Sequence, residues 1–590
     1  MRHTILTLLI SLTLIAAPSA VQANDDVNGV MLQGWYWDSP VGEEWWNKLS
    51  KMAPQFRKWG ITGIWLPAFT KGASGGYSSG YDPYDFYDLG SQDQRGTVPT
   101  KWGHKRDLLK MISILHANGI DAYADIVPNH RSGGTKAGYE YKDLRGSEAV
   151  GRFTMAPWDF HPKDWHGDWY EAVAGLPDIN QDVPYVRDGF FKWIRWFDKQ
   201  TGVDGYRIDA VKHMKPEFTE GLLYQVQEGM GQSRFSVGEF YDGNPSTLQW
   251  WVNANRGRSS VFDFTLFFQL LSMAHGNGYY DMRGLRSRFW DDRHSVTFCN
   301  SHDTFRRANG LHLYNRSNLA YAFILAAPGY PCVYWQDLFD DNGNVRDFMV
   351  NLIWIHHMMA RGAGIERYAD EDLYVLEREG NLLAGYNDNT NSWKHAWVRT
   401  HFGPNVRLHD YAGDVGDVWT NQHGWARIAV PPNGYVMYGR DGFQGKQPNP
   451  PVRRTVQEFE AEKDMDMRPA GEWWSEATPF TSEKNEPVHV DVWLKDTTKI
   501  AHVALFDDQG NRINHARGKG HVYFSVNQPS KRGWYYVKVG LEQGQGQGGQ
   551  SSRSGYFLKI KYQGPREDVG HMPNVANFQT LPLIPSSVGP

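Results

Sequence analysis

The sequence predicts an α/β protein: a parallel (β/α)8 TIM barrel followed by two β-sandwich domains. Short apolar segments recur over the first 360 residues and are separated by stretches of helix length, and eight strands is the number that closes a parallel barrel. Beyond about residue 360 the pattern changes to strands joined by short turns, which is typical of antiparallel sheets. With 590 residues and 41% hydrophobic content, the chain is long enough for several domains.

Eight segments are candidate barrel strands. In chain order they read GVMLQGW, ITGIWLP, DAYADIV, GYRID, SVGE, VFDF, VTFCN and PCVYW. The stretches between them include amphipathic helix candidates such as KRDLLKMISILHANG, which ends on a glycine stop. The piece between DIVPNH and GFFKWIRWFDK is long and rich in Gly, Asp and Trp, so we expect an inserted domain at about residues 131–186, after the third strand.

The domain boundaries follow from changes in composition. Residues 1–23 have a basic start, an apolar stretch and small residues before Ala23, which predicts a signal peptide and a secreted protein. No later segment offers about 18 uninterrupted apolar residues, so no membrane span is expected. We assign the barrel to 24–360, the first β-sandwich to 361–440, a linker to 441–454, a second β-sandwich to 455–563 and a tail to 564–590.

Charge and composition narrow the function classes. The net charge of −5 is small for this length and both signs are interspersed, so neither nucleic acid nor an anionic membrane is an expected partner. The chain has 25 Trp, 30 Tyr and 29 Phe, and aromatic faces suit sugar rings as well as protein cores. The tryptophans that are candidates for either role are Trp35, Trp37, Trp158, Trp165 and Trp169. The two cysteines, Cys299 and Cys332, lie in apolar segments and are predicted to be buried free thiols rather than one bridge.

Three carboxylates follow predicted barrel strands. Asp209 ends GYRID, Glu239 ends SVGE and Asp303 follows VTFCNSH. Because reactive groups gather at the carboxyl ends of the strands in a parallel barrel, these side chains are expected at one mouth. Arg207 precedes Asp209 by two residues and shares its face of the strand. A buried structural ion pair would explain Arg207 and Asp209 alone, but three convergent acids indicate catalysis.

Six motifs in order carry a resemblance to a known family: GYDPYDFYDLG, DIVPNH, LPDIN, GYRIDAVKH, VGEF and FCNSHD. From about Val30 to Gly439 the chain resembles the α-amylase family, family 13 of the glycoside hydrolases. The resemblance implies retaining cleavage of α-1,4-glucosidic bonds. By the same match Asp209 is the nucleophile, Glu239 the acid/base and Asp303 the carboxylate that steadies the transition state.

The resemblance also implies the residues that bind substrate and metal. Those that would contact the glucan are Tyr81, His130, Arg207, Lys212, His213 and His302. Asn129, Asp178 and the backbone carbonyl of His213 match the family's Ca²⁺ ligands, and Asp164 or Asp168 would add a carboxylate. Where family members often carry an asparagine before the histidine of FCNSHD, this chain has Ser301, which makes a chloride site doubtful.

Three functions are weighed. The first is a secreted, monomeric, endo-acting α-amylase on starch, glycogen or maltooligosaccharides. The second is a transglycosylase on the same scaffold, and the third is a non-catalytic glucan-binding protein, against which the complete acid triad argues. We expect residues 455–563 to be an independent module whose removal preserves hydrolysis of soluble starch. Its candidates for glucan binding are Trp473, Trp474, Trp493 and Trp534, with core packing as the alternative.

Overall fold

The computed structural model describes residues 29–132, 153–161, 176–444, 451–461, 475–541 and 554–579. Within these ranges, residues 43, 154, 156, 290, 306–309, 315, 414, 476, 528 and 576 are not described. The predicted signal peptide and most of the predicted inserted domain lie outside the described residues. The same holds for several candidate residues: Asp164, Asp168, Trp165, Trp169, Trp473 and Trp474.

In the described part of the chain, eight parallel strands form a closed barrel. They are β1 (Met31–Gln33), β2 (Gly63–Ala68), β3 (Asp121–Ile126), β4 (Gly205–Ile208), β5 (Phe235–Gly238), β6 (Ser260–Phe262), β7 (Ser295–Phe298) and β8 (Tyr330–Tyr334). Each strand pairs with its successor in sequence, and β8 pairs with β1 to close the ring. Each observed strand lies within or overlaps one of the eight predicted segments, and the predicted fold class is confirmed.

Helices lie between and beyond the barrel strands. They are α1 (Trp45–Trp59), α2 (Lys105–Ala117), α3 (Pro184–Thr201), α4 (Pro216–Val226), α5 (Pro245–Ala254), α6 (Phe264–Gly276), α7 (Ser317–Ala326), α8 (Trp335–Leu338) and α9 (Asp347–Met359). In α2 the buried Leu108, Met111, Ile112 and Leu115 follow the helical repeat, as the sequence predicts. The chain leaves this helix through Gly119, whose φ of +71° suits glycine.

A second domain follows the barrel and consists of two antiparallel sheets. Its strands are β9 (Gly364–Ala369), β10 (Leu373–Arg378), β11 (Leu382–Asn387), β12 (Lys394–Arg399), β13 (Arg407–Asp410), β14 (Val418–Trp419), β15 (Trp425–Val430) and β16 (Gly434–Arg440). One sheet has the order β9-β10-β11-β16-β13-β14, and the other pairs β12 with β15. Leu383, Val398, Ile428 and Val436 belong to the apolar core of this domain.

A third domain has two four-stranded antiparallel sheets. Its strands are β17 (Thr455–Ala461), β18 (Thr478–Ser482), β19 (Val488–Leu494), β20 (Ile500–Phe506), β21 (Arg512–Lys519), β22 (His521–Val526), β23 (Gly533–Leu541) and β24 (Tyr556–Tyr562). The sheet orders are β17-β24-β19-β22 and β18-β23-β20-β21. The core between them contains Val490, Val503, Val537 and Ile560. Trp534 is buried and packs in a side cluster, so it is a packing residue, whereas Trp493 is exposed.

The third domain and the segments that flank it contact the bottom of the barrel, opposite the carboxyl ends of its strands. Arg453 forms ion pairs with Asp121 and Asp204, which lie at the amino-terminal starts of β3 and β4. On α2, the buried Lys110 ammonium lies 2.7 Å from Asp568 Oδ1 and donates to the carbonyl of Gly570 at 2.9 Å. Buried charged contacts therefore join these segments to the barrel.

The two cysteines and the adjacent His356 and His357 of α9 contribute to the packed interior. Cys299 and Cys332 are buried free thiols, as predicted, and burial raises the pKa of Cys332 to about 12. His356 Nδ1 donates to the carbonyl of Leu325 at 2.9 Å, and His357 Nε2 donates to the carbonyl of Gly60 at 2.7 Å. None of the helices among the described residues is long and apolar enough to cross a membrane.

Candidate active site

The barrel brings the strand-end carboxylates to one rim. Asp209 directly follows β4 and Glu239 directly follows β5. The amide of Asp209 donates to the carbonyl of Ile126 at 2.9 Å, and that of Glu239 donates to the carbonyl of Ile208 at 3.0 Å, so both residues continue the parallel ladder. Asp303 lies five residues beyond the end of β7 and its side chain is 52% exposed. The convergence expected from the sequence is present.

The guanidinium of Arg207 connects two of these acids. Its side chain is almost completely buried, and Nη1 lies 2.6 Å from Asp209 Oδ1 while Nη2 lies 2.9 Å from Glu239 Oε2. The Asp209 contact is a charge-assisted hydrogen bond, and such bonds are short and directional, whereas the Glu239 contact is a close polar contact. Because each carboxylate binds a terminal nitrogen of the same planar group, Arg207 fixes the position of Asp209 relative to Glu239.

Asp125 on β3 is a site residue that the sequence analysis missed. Its fully buried carboxylate accepts from Arg207 Nη1 at 3.0 Å, from Tyr81 Oη at 2.5 Å and from Trp65 Nε1 at 2.9 Å. Asp125 therefore shares Arg207 Nη1 with Asp209 and fixes the guanidinium from the neighbouring strand. An aspartate within the apolar strand segment DAYADIV, four residues before Asn129, is the sequence signal that would have identified it.

Glu239 has the electrostatics of a proton donor. Burial raises its pKa to about 8, the charges of Asp209 and Asp303 act in the same direction, and Arg207 acts against them. The ordinary glutamate pKa is about 4.3, so this carboxyl group keeps its proton at neutral pH. Asp209 and Glu239 thus differ in environment although they share one guanidinium.

The backbone after Asp209 is strained. Ala210 has φ of +49° and ψ of 38°, a left-handed conformation that costs a residue with a Cβ about 1–2 kcal/mol. In this conformation the Ala210 amide donates to Glu239 Oε2 at 3.1 Å. The strained residue therefore helps to orient the carboxylate that follows the neighbouring strand.

His302 is held in one tautomer. Gln33 Nε2 donates to its Nδ1 at 3.0 Å, which leaves the proton on Nε2, 3.1 Å from Asp303 Oδ2. Its ring stacks on Tyr81 with centroids 5.2 Å apart, and Trp37 lies parallel to it at 5.9 Å. Trp35 is fully buried against His302, so it packs the site rather than offering a free platform.

The turn that carries Asp303 depends on Ser301. Its hydroxyl accepts from the amides of Asp303 at 3.3 Å and Thr304 at 3.4 Å, while its own amide donates to Thr304 Oγ1 at 2.8 Å. The hydroxyl at this position therefore closes the turn on which the third acid lies.

Three further predicted substrate residues lie on the same rim. His130 Nε2 donates to the carbonyl of Tyr81 at 2.9 Å and so fixes the backbone of that tyrosine. Lys212 lies in the 3₁₀ turn Val211–His213 after β4, half exposed, and donates to the carbonyl of Tyr241 at 3.1 Å. His213, the last residue of this turn, follows it directly.

Asn129 and Asp178 lie on paired segments. His130 and Asp178 form an isolated antiparallel bridge, and the amide of Ile179 donates to the carbonyl of Asn129 at 2.9 Å. Asn129 Oδ1 and both carboxylate oxygens of Asp178 are buried without a hydrogen-bond partner among the described residues. Burial raises the pKa of Asp178 to about 8. Three unsatisfied buried oxygens at one place are expensive unless a cation or proton binds them.

In the described ranges, no group of three or more His, Cys, Asp or Glu side chains is placed to hold a metal ion. Such a group contains neither amide nor backbone oxygens, which Ca²⁺ uses as ligands. The oxygens of Asn129 and Asp178 therefore fit a hard cation even though only one carboxylate contributes to them.

The comparisons with known proteins agree with this geometry. The α-amylase catalytic domain matches residues 50–341, and the α-amylase C-terminal domain matches residues 382–439. The chain is 27% identical over 500 residues to an α-amylase of Bacillus licheniformis, covering 72% of this chain and 96% of that protein. It is 30% identical over 476 residues to a glucan 1,4-alpha-maltohexaosidase of Bacillus sp. strain 707, covering 69% and 91%.

The fold has solved counterparts as well. The crystal structure of an α-amylase from Geobacillus thermoleovorans, complexed with acarbose, matches with a TM-score of 0.57 and 20% identity. The match covers 71% of this chain and 99% of the other. The sequence match to the maltohexaosidase and the two domain matches establish the family, and the structural match establishes the fold. The chain belongs to the α-amylase family of glycoside hydrolases.

Proposed function

We propose that this glycoside hydrolase is a secreted, endo-acting α-amylase that cleaves internal α-1,4-glucosidic bonds of starch and related glucans with retention of configuration. The observation that carries this proposal is the pairing of Asp209 and Glu239 on one buried guanidinium. A retaining glycosidase needs two carboxyl groups about 5–5.5 Å apart, one ionised and one protonated. A shared arginine favours this short separation.

The two steps use these groups in turn. Asp209 attacks the anomeric carbon while Glu239 donates its proton to the departing glycosidic oxygen, giving a glycosyl–enzyme ester. Glu239, now ionised, removes a proton from water, which attacks the anomeric carbon and releases Asp209. Two inversions at this carbon retain its configuration. Arg207 stays charged throughout and stabilises whichever carboxylate is ionised.

Asp303 and the stacked aromatic residues position the sugar. The exposed Asp303 carboxylate is placed to accept hydrogen bonds from sugar hydroxyls, which strengthen as the ring flattens toward an oxocarbenium ion. Tyr81 and His302 stack beside the acids, with His130 fixing the backbone of Tyr81. Lys212 and His213 lie after β4, where the departing part of the glucan would be held.

The competing function is transglycosylation, in which a sugar hydroxyl replaces water as acceptor. Soluble starch should be incubated with the enzyme, and new reducing ends and product sizes followed over time. Early products of many lengths with new reducing ends support an endo hydrolase. Products that accumulate without new reducing ends indicate transglycosylation, and no reaction with any α-glucan refutes both.

A Ca²⁺ site at Asn129 and Asp178 is part of the proposal. Asn129 Oδ1 and the Asp178 carboxylate supply hard oxygen donors, which suit Ca²⁺ and disfavour soft transition metals. The His213 carbonyl and Asp164 or Asp168 are the remaining proposed ligands. Bound Ca²⁺ would offset the cost of the buried charge and hold the segment of Asp178 beside His130.

The cellular setting follows from the same proposal. A signal peptide at residues 1–23 would export the chain, and the mature protein would act as a monomer on starch, glycogen or maltooligosaccharides. Fractionation of the source cells with detection of the mature amino terminus tests the export, and sedimentation of the purified chain tests the monomer.

A further inference from the structure

The second domain exposes tryptophans on its two-stranded sheet. In β12, Ala396 and Val398 point into the core while Trp397 is 57% exposed. In β15, Ala426 and Ile428 are buried while Trp425 is 39% exposed. Side chains alternate across a strand, so one face of this sheet belongs to the domain core and the other carries indoles in solvent. Large apolar rings in solvent are unfavourable unless something covers them.

The register places each tryptophan beside an arginine. Trp397 lies opposite Arg427, and Arg399 lies opposite Trp425. The two indoles are therefore diagonal neighbours, with Cβ atoms about 7–8 Å apart or less. We call these four residues the tryptophan face. Two more exposed tryptophans lie nearby in the chain. Trp393 directly precedes β12 and is 49% exposed, and Trp419 ends β14 and is 61% exposed.

The four side chains of the tryptophan face have unused binding capacity. Among the described residues, neither indole makes a ring contact or a side-chain hydrogen bond, and neither arginine has an acidic partner. Trp493 of the third domain is exposed as well, but its indole stacks on His521 at 5.2 Å, and His521 binds Asp491 at 2.6 Å. What marks the tryptophan face is that two indoles and two arginines without such partners in the described part of the chain lie together on one face of a sheet.

The chemistry of the tryptophan face suits an uncharged, hydroxyl-rich chain. Indole faces stack on the apolar faces of sugar rings, and the two guanidinium groups donate to hydroxyl and ring oxygens. The face itself carries donors and no carboxylate, so it complements oxygen acceptors. Two arginines on a chain of net charge −5 do not form the basic stripe that nucleic acid requires.

We propose that the tryptophan face is a second, non-catalytic binding surface for α-glucan chains. The inference rests on the proposed α-glucan substrate and adds a site outside the barrel. A polymer held there raises the local concentration of substrate for the barrel site, as linked binding sites do in general. The gain applies to long or insoluble glucans, because a short oligosaccharide that occupies one site does not reach the other.

The test compares adsorption to granular starch with turnover of a short maltooligosaccharide. The variant is the full-length double substitution W397A/W425A, and the matched control is W250A, which removes a tryptophan of α5 that is 44% exposed. Central tryptophans of binding sites contribute about 2 kcal/mol or more, so we expect the adsorption constant of the double variant to fall at least about tenfold. Adsorption of W250A should change less than twofold, and kcat/KM for maltoheptaose should stay unchanged in both.

Two further measurements make the result decisive. Adsorption is repeated in chains that also carry Asp209→Asn, so binding is measured without turnover and separately from the proposed hydrolysis. The variant W397F/W425F keeps aromatic faces and should recover most of the adsorption, which a general loss of folding would not allow. Wild-type adsorption by W397A/W425A overturns the proposal. So does a concentration-dependent dimer that this variant abolishes, since the face would then join two copies.

Discussion

Arg207 Nη2 lies 2.9 Å from Glu239 Oε2, yet burial still raises the pKa of this carboxyl group to about 8. Desolvation thus outweighs the nearby positive charge, with the negative charges of Asp209 and Asp303 acting in the same direction as burial. A buried acid that keeps its proton beside an arginine is what general acid catalysis at neutral pH needs. Several expectations depend on this arrangement.

The alkaline limb of the pH profile should report Glu239. Its raised pKa means that the acid is protonated below about pH 7 and loses its proton as pH rises through about 8. We expect kcat/KM on maltoheptaose to fall about tenfold per pH unit above that midpoint. Asp303→Asn removes a negative charge that raises this pKa, so the alkaline limb of the residual activity should shift to lower pH. The control is Asp292→Asn, which replaces an exposed aspartate. An unshifted alkaline limb in Asp303→Asn contradicts the assignment of this limb to Glu239.

The roles of Asp209 and Glu239 should be distinguishable by comparing substrates with different leaving groups. Asp209→Asn and Glu239→Gln should each lower kcat on starch by at least about a hundredfold without changing the melting temperature greatly. A substrate such as α-maltosyl fluoride needs no proton donor for departure, so it should restore the first step, measured as a burst of fluoride release, in Glu239→Gln and not in Asp209→Asn. Retention of more than about a tenth of wild-type kcat on starch by either variant rules out its role.

Asp125→Asn tests the positioning of Arg207. The amide keeps an acceptor for Trp65 or Tyr81 but removes the charge that faces the guanidinium at 3.0 Å. We expect a drop in kcat of about tenfold or more with a small change in KM, since misplacement of a charged group affects the transition state most. A shift of the alkaline limb should accompany it, because Arg207 also acts on Glu239. A purely structural role would lower the melting temperature and leave the pH profile of the folded enzyme in place.

Calcium should stabilise the chain through Asp178. Binding only to the folded state adds about 2.7 kcal/mol at a hundred times the dissociation constant, enough to raise the melting temperature by several degrees. Chelation should lower the melting temperature and the activity, and added Ca²⁺ should restore both. Asp178→Ala should melt like the chelated protein whether Ca²⁺ is present or not, while the exposed Asp188→Ala should respond like wild type. A full response to Ca²⁺ by Asp178→Ala shows that the ligand assignment is wrong.

The ion pair between Lys110 and Asp568 should stabilise the docking of the carboxyl-terminal segment. Asp568→Ala leaves the buried Lys110 ammonium with neutral acceptors only, and removal of one partner of a buried ion pair typically costs about 3–5 kcal/mol. A lower melting temperature is expected, with kcat on soluble starch unchanged because the contact lies at the opposite end of the barrel from the acids. The neighbouring Glu567→Ala, in which an exposed carboxylate is removed, should melt like wild type. Equal melting temperatures for both variants contradict this prediction.

Removal of the third domain should also lower the melting temperature, because it removes contacts with the barrel. A chain ending near Asn449 loses the partners of Lys110 and Asn118 on the barrel surface, where Asn118 Nδ2 donates to the carbonyl of Arg566 at 2.9 Å. We therefore expect hydrolysis of soluble starch by the folded fraction to persist, as the sequence suggests, but with a lower melting temperature than the full chain. Thermal unfolding followed by activity and by circular dichroism gives both quantities. Loss of activity in a folded fragment contradicts the independence of the module.

The barrel and the acids at its rim could be predicted from the amino-acid sequence, because both depend on local patterns of residues. Hydrophobic segments of strand length at helix-length intervals predict parallel strands, and a residue that follows such a strand lies at the carboxyl rim. Asp209 and Glu239 could therefore be identified from their place in GYRID and SVGE. Their proposed roles come from the family resemblance that the ordered motifs carry, because a pattern of burial contains no information on roles.

Contacts between distant residues could not be predicted in this way, because they depend on the folded arrangement of the whole chain. Asp125 and Arg207 are 82 residues apart, and their contact depends on the neighbouring positions of β3 and β4 in the closed barrel. The shifted pKa of Glu239 has the same origin, since it depends on how much water the packed rim excludes. The pairing of Trp397 with Arg427 depends on strand register, and the pairing of Lys110 with Asp568 on the docking of two domains. Local sequence preferences carry none of this information, because these contacts join segments far apart in the chain.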